Sequence, residues 1–259
     1  MSVIKDPTLL REMETSKEIT DIEYLDNGQL IVCMRDGLEV YDDNGQQIDH
    51  YLSHHCQPVN INYGGLCGVS VGRNVGNIVV TDWNVTGYLH IYDTAGDSWI
   101  YNRCSVCQMP QYVGITSDGC YVVSGYNDSK LYMYTSRDVK LWSIDMSHDG
   151  WVCDVFVDNN DIIFVCLDHK VVVYDKNGKQ ISLLSTNTEI VPRGVFVDKN
   201  REIFVSDWKN NNILLFDKHY KFIKSLINLD YKPRKLSLYN NKRLSVIRYG
   251  DNKVYVYKI

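Results

Sequence analysis

The sequence predicts an all-β fold: a six-bladed β-propeller of four-stranded antiparallel blades. Two compositional facts and one repeat point to it. The 259 residues include 19 Tyr and five Trp and show hardly any helical periodicity, a profile suited to half-buried strands. Apolar segments alternate with period two and are cut by Asn-, Asp- and Gly-rich turns too often for helices of ten residues. One phrase also recurs about every forty residues: an apolar strand start, a polar turn, a β-branched run, a second polar turn, then an alternating run closing on an aromatic and usually Asp. That period, with three strands per copy and room for a fourth, is a propeller signature.

The copies run in order through residues 21–42 (DIEYLDNGQLIVCMRDGLEVYD), 68–93, 114–135, 154–175, 192–217 and 233–259. Their closing aromatics are Tyr41, Tyr92, Tyr134, Tyr174, Phe216 and Tyr257, spaced 51, 42, 40, 42 and 41 residues apart. The longer first spacing assigns extra residues to segment 50–67 and to the turn at 72–76. The last copy ends after its third strand, whereas residues 8–13 (TLLREM) precede the first copy without a blade of their own. Pairing that segment onto the sixth blade closes the ring and covers a sheet edge that would otherwise recruit other strands. The expectation is one domain spanning 1–259, monomeric.

Charge is distributed unevenly. Residues 1–169 carry a balance of −15 and residues 170–259 one of +10, within an overall −5. A ring places these on opposite sides, and only the basic side, blades four to six, attracts acidic partners or phosphates. No run of about 18 apolar residues is present and the first residues have no apolar signal core, so the expectation is a cytoplasmic protein without a membrane segment.

The best-formed copy, PRGVFVDKNREIFVSDWKNNNILLFD, resembles the NHL repeat through Pro192, Gly194, Asp198, Val205, Asp207, Asn211 and Phe216-Asp217. Blade two keeps Gly68, Asp82-Trp83 and Tyr92-Asp93, and blade four keeps Asp158 and Tyr174-Asp175. The resemblance spans almost the whole chain and is greatest to the C-terminal propeller of divergent invertebrate tripartite-motif proteins. In that family ubiquitin transfer belongs to an N-terminal RING, followed by a B-box and a coiled coil. No such Cys/His spacing or heptad pattern occurs here, so the resemblance implies the recognition end alone, non-catalytic, selecting a protein partner or ubiquitination substrate. Gly68, Gly114 and Gly194 are expected beside the axis, where a side chain would crowd the tunnel, and Asp82 and Asp207 are expected to cap turns.

Chemistry-bearing candidates are few. Cys33, Cys120, Cys153 and Cys166 sit in apolar strand runs and read as small buried hydrophobes. Cys104 and Cys107 form a lone CxxC near His54, His55 and Cys56, too little to define a zinc site, and no metal or cofactor is expected. Aligning the first strands puts Asp21, Gly68, Gly114, Asp154, Gly194 and Lys235 at equivalent axial positions. Two carboxylates and a cation do not supply the oxygen ligands or the acid–base pair of a metal-dependent propeller hydrolase or lyase, and Lys235 is expected to neutralise Asp21. Asn84 and Asn127 open glycosylation sequons that read as turn residues.

A surface remains. In propellers the inter-blade connections and the second-to-third-strand turns emerge on one face. Here those turns offer Arg35, Trp83, Tyr126, His169, Trp208, Lys209, Arg248 and Tyr249, and the connections add Tyr112, Trp151, Arg193 and Arg234. Exposed aromatics and arginines dominate interface energetics. The expected partner-binding set is Arg193, Trp208, Lys209, Arg234, Arg248, Tyr249, Lys170, Trp83 and Tyr126. Protein recognition is the first reading. RNA binding is the alternative, with Trp208 and Tyr249 stacking bases while Lys170, Arg193, Lys209, Arg234 and Arg248 meet phosphates; the overall acidity ranks it second.

Overall fold

The computed structural model describes residues 7–52, 65–72, 77–83, 87–93, 98–100, 107–127 and 129–259. An opening strand, β1 (Thr8–Glu14), precedes blade one, which is β2 (Ile19–Tyr24), β3 (Leu30–Met34), β4 (Gly37–Tyr41) and β5 (Gln47–Leu52). Blade two is β6 (Leu66–Gly72), β7 (Asn77–Asp82), β8 (Tyr88–Asp93) and β9 (Ser98–Ile100). Blade three is β10 (Pro110–Ile115), β11 (Tyr121–Gly125), β12 (Lys130–Tyr134) and β13 (Lys140–Asp145). Blade four follows as β14 (Val152–Val157), β15 (Ile163–Leu167), β16 (Lys170–Tyr174) and β17 (Gln180–Leu184). Blade five is β18 (Pro192–Val197), β19 (Ile203–Asp207), β20 (Asn212–Phe216) and β21 (Phe222–Asn228). Blade six is β22 (Pro233–Tyr239), β23 (Arg243–Arg248) and β24 (Lys253–Lys258), and β1 completes it.

The six antiparallel sheets form a ring, with each blade's first strand against the first strands of its neighbours. Ring closure is the expected one: β1 pairs antiparallel with β24 from Thr8↔Lys258 to Glu14↔Lys253. Each closing aromatic falls in the third strand of its blade.

No single central core exists. Apolar layers lie between consecutive blades instead, such as Phe164, Cys166 and Val173 of blade four against Val195, Val205 and Phe216 of blade five. A second strand is covered by a neighbouring blade on both faces, so it reads as a continuous apolar run, LIVCM or IFVCL, rather than an alternating one. The layer between blades six and one contains Met13 of β1, so ring closure buries side chains as well as pairing backbone.

Near the axis the blades are clipped together by polar side chains. Asp21 accepts from Val69 N at 3.0 Å and Asp154 from Val195 N at 2.9 Å, while Thr81 donates to the Gln111 carbonyl at 2.8 Å and Ser206 to the Arg234 carbonyl at 2.5 Å. Blade one receives its clip from blade six, Tyr24 N donating to Ser237 at 3.1 Å. The axial glycines serve this approach, which corrects the tunnel-crowding expectation. A Cβ at Gly194 would lie 2.5 Å from the Arg234 carbonyl oxygen, and one at Gly68 2.6 Å from that of Gln111, so the obstacle is the neighbouring blade's backbone rather than the lumen.

Two outcomes test this architecture. Deleting residues 1–14 leaves β24 unpaired and Met13 missing from its layer. A loss of several kcal/mol, about 10 °C or more in melting temperature, together with self-association, is expected by scanning calorimetry and light scattering. Gly194→Ala forces blades five and six apart and is expected to cost about 1–3 kcal/mol in urea unfolding.

Candidate binding site at the channel mouth

Each first strand carries a register irregularity near its start, at Ile19/Asp21, Leu66/Val69, Pro110/Val113, Val152/Asp154, Pro192/Gly194 and Pro233/Leu236. A β-bulge adds unpaired residues and re-aims side chains. The residues inserted in blades three to six are Gln111 and Tyr112, Cys153, Arg193, and Arg234 and Lys235. All but Lys235 line a cavity of about 460 Å³ at the mouth of the central channel, together with Trp151, Val152, Asp168, Trp208 and Tyr249. The bulges therefore build the floor, and the second-to-third-strand turns, with Trp151 from the connection into blade four, build the rim.

The rim is aromatic. Blades two to six each contribute one ring: Trp83, Tyr126, Trp151, Trp208 and Tyr249. Trp83 meets Tyr126 edge-on at 5.6 Å between centroids, and Tyr126 meets Trp151 at 4.9 Å. Trp151 is 57% and Tyr249 65% exposed, whereas Trp83, Tyr126 and Trp208 are half-buried. Cations sit against the others: Lys232 Nζ lies 3.7 Å from the Trp208 ring centre, and the guanidinium carbons of Arg193 and Arg234 lie 5.9 Å and 5.6 Å from the Trp208 and Tyr249 rings.

On the floor, Asp168 accepts from Arg193 Nη1 at 3.2 Å and from Trp151 N at 3.1 Å. Cys153 Sγ lies 2.6 Å from Arg193 Nη1, and burial pushes its thiol up to about 11 against the pull of that arginine. Arg234 is half-buried. Burial opposes its charge, but the surrounding Tyr112, Cys67 and Asp21 hold its pKa above the ordinary arginine value.

Beneath the cavity, Lys235 of blade six crosses the axis. Its ammonium lies 3.8 Å from the ring centre of Tyr112 on the opposite blade three and is ion-paired with Asp154 of blade four. This corrects the expected Lys235–Asp21 pairing: the long stem reaches across the axis to Asp154, and each carboxylate also accepts two backbone N–H groups, Asp21 from Ile22 and Val69 and Asp154 from Val155 and Val195. Burial alone would lower the Lys235 pKa, but Asp154 and then Asp21 outweigh it and hold it above the ordinary value. Asp21 also moves up, which for a carboxyl disfavours its charge. Burial, reinforced by Asp154, raises it to about 6 despite Lys235 and the two backbone donors.

Arg193, Trp208, Arg234 and Tyr249 of the expected binding set converge on the cavity, and Trp83 and Tyr126 reach it through Trp151. Arg248 is exposed and, among the described residues, has no ion-pair partner. Lys170 and Lys209 are not in the lining; they pair with Asp149 and, at 2.5 Å, Glu189. Arg193 and Arg234 were expected in inter-blade connections but lie within β18 and β22, because Pro192 and Pro233 already pair with Asp207 and Arg248. Cys33, Cys120, Cys153 and Cys166 are all buried, as expected, yet Cys153 also lines the mouth. Asp207 caps its turn by accepting from Val191, Lys209 and Asn210, and Asp82 contacts His90. Cys104, His54, His55, Cys56 and Asn84 lie outside the described residues. Sequence reasoning missed Gln111 and Lys232 and gave Asp168 no structural role; for Lys232 the signal was the basic run around Pro233, YKPRK.

These features define a β-propeller with a closed-bottomed cup at one channel mouth. No protein-family model matches the chain, and no curated protein matches it. Among solved structures, a chain in a crystal structure of the mitotic checkpoint complex is similar with a TM-score of 0.70 at 9% identity, covering 97% of this chain and 92% of that one. The likeness is one of fold.

The axial charge layer gives a pH signature. Asp21 titrates near 6 when folded against an ordinary 3.8, so between those values the folded chain binds the extra proton and this group's contribution to stability falls as pH rises. The melting temperature of the wild type relative to Asp21→Asn is expected to drop from pH 4 to about 6.5 and then level off.

Proposed function

We propose that this propeller is a non-catalytic recognition platform that binds a protein partner at the channel mouth. The observation that carries the reading is the rim itself, where Trp151 and Tyr249 stand exposed beside arginines over a 460 Å³ cavity. Rigid aromatics and forked guanidinium groups are the side chains that concentrate binding energy at interfaces. The carboxylates beneath the cavity are engaged with backbone N–H groups and Lys235, which supports structural rather than acid–base roles for Asp21 and Asp154. That a structurally similar chain belongs to a multi-protein complex is consistent with this reading.

The repeat pattern around Pro192, Gly194, Asp198, Asp207 and Asn211 supports a finer proposal: an NHL-type propeller acting as the recognition end of a tripartite-motif system, presenting its partner to a ligase module outside this chain. Cys67, Cys120, Cys153 and Cys166 are free thiols, in keeping with a reducing, cytoplasmic setting. Among the described residues no helix is long and apolar enough to cross a membrane. RNA binding is the second reading, favoured by the +10 balance of residues 170–259 and the unpaired Arg248.

The test uses residues whose exposure spares the fold. A Trp151→Ala, Arg248→Glu, Tyr249→Ala variant is expected to keep the wild-type melting temperature within about 2 °C, because exposed side chains contribute little to stability. It should lose captured protein partners by about tenfold or more in quantitative affinity capture. Equal capture by both proteins places the interface elsewhere. Affinity that falls steeply and linearly in log salt marks phosphate contacts and the RNA reading; a shallow dependence marks a protein interface.

A further inference from the structure

One arginine of the cup has, among the described residues, no carboxylate at ion-pair distance. Of the cup's charged lining groups, Arg193 is matched by Asp168, and just below the floor Lys235 is matched by Asp154. Among the described residues no carboxylate lies within ion-pair distance of Arg234, which also lines the cavity. Its guanidinium carbon lies 5.6 Å from the Tyr249 ring centre, so its planar donor fork is held against the aromatic wall of the cup.

We propose that the mouth is a carboxylate receptor: a short extended peptide segment places one carboxylate on the Arg234 guanidinium while its neighbouring apolar residues lie on Trp151, Trp208 and Tyr249. This rests on the platform reading above and specifies the chemistry of the partner. The size fits, since a cavity of about 460 Å³ falls within the usual range for small-ligand sites, about 300–1,000 Å³, and admits a few side chains rather than a folded domain. The depth fits as well, because Lys235 closes the channel directly beneath and an entering side chain ends at the arginine.

A peptide suits the cup better than RNA. Base stacking needs free aromatic faces, but Lys232 covers one face of Trp208 at 3.7 Å, and Trp83, Tyr126 and Trp151 are engaged edge-on with one another. Asp168 also puts a negative charge in the cup, where it repels a run of phosphates but leaves a single carboxylate tolerable beside Arg193 and Arg234. The carboxylate can come from an Asp or Glu side chain or from a chain terminus.

The experiment selects random dodecapeptides displayed on phage against the full chain. The enriched peptides are then synthesised for fluorescence polarisation. Expected is a shared Asp, Glu or terminal carboxylate, with Glu→Gln or C-terminal amidation, whichever applies, weakening binding by about tenfold to a hundredfold. Arg234→Met keeps an apolar stem against Tyr112 and Tyr249; in it the Glu and Gln peptides should bind within about twofold of each other. Arg234→Lys keeps the charge without the fork and should retain part of the preference. The wild-type peptide comparison stands even where a variant fails to fold. Enriched peptides without an acid, equal affinity for Glu and Gln peptides in the wild type, or selection yielding no peptide while a random single-stranded octanucleotide RNA pool binds, each overturns the proposal. Peptides that depend on Tyr249 but ignore Glu→Gln overturn the receptor alone and leave the platform standing. Equal capture by the wild type and the rim variant is what overturns the platform.

Discussion

The packing of the six innermost strands around the axis is the constraint on which the rest of this molecule depends. At Gly68 and Gly194 the next blade's carbonyl occupies the space a Cβ would need. Carboxylate and hydroxyl clips then hold adjacent first strands in register. Because the ring is this tight, a single lysine is long enough to cross it, and Lys235 does so to meet Tyr112 and Asp154. A buried ion pair of this kind adds little net stability when intact, but loss of one partner strands the other charge and costs about 3–5 kcal/mol. The pair therefore acts as a lock on blade order across the ring, with the apolar inter-blade layers supplying the bulk of the stabilisation.

The same tightness shapes the mouth. A first strand cannot widen the ring, so its added residues are accommodated as bulges, and a bulge turns side chains out of the ladder toward the opening. That is how Cys153, Arg193 and Arg234, spread over three blades, come to share one cavity. The turns of blades two, three, five and six and the connection into blade four add one aromatic each, and these rings pack on one another or on cations, so the rim is rigid before any partner arrives. Rigidity of this sort reduces the ordering penalty of association.

Much of the fold was legible in the sequence because the repeat is written in residues that packing requires: buried second strands such as IIFVC, closing aromatics at six third strands, and Asp-led turns whose carboxylates accept backbone N–H groups, as Asp198 does from Asn200 and Glu202. The closing strand was legible as an apolar segment with no other place to pair. The outer strands were less so, since β13, β17 and β21 bury only a few side chains, such as Leu184 and Leu226, and leave Leu141, Ile181 and Ile223 exposed. At the mouth, the turn aromatics were legible, but the bulges were not, because an extra residue in a ladder leaves no compositional mark. That is why Arg193 and Arg234 read as connections, why Cys153 read only as core, and why Lys235 was paired with blade one, its neighbour in the ring, rather than across it.

The closure of blade six has a mechanical side. Thr8 of β1 sits opposite Lys258 of β24, so the two chain ends leave the ring from the same end of one antiparallel pair. Tension applied between them loads the β1–β24 hydrogen bonds one after another, as a zipper, rather than all together in shear. The ring is thus sealed against thermal fraying and open to pulling: a modest force on its tethers peels β1 away first, withdrawing Met13 from the layer it shares with blade one while the other five blades keep all four strands.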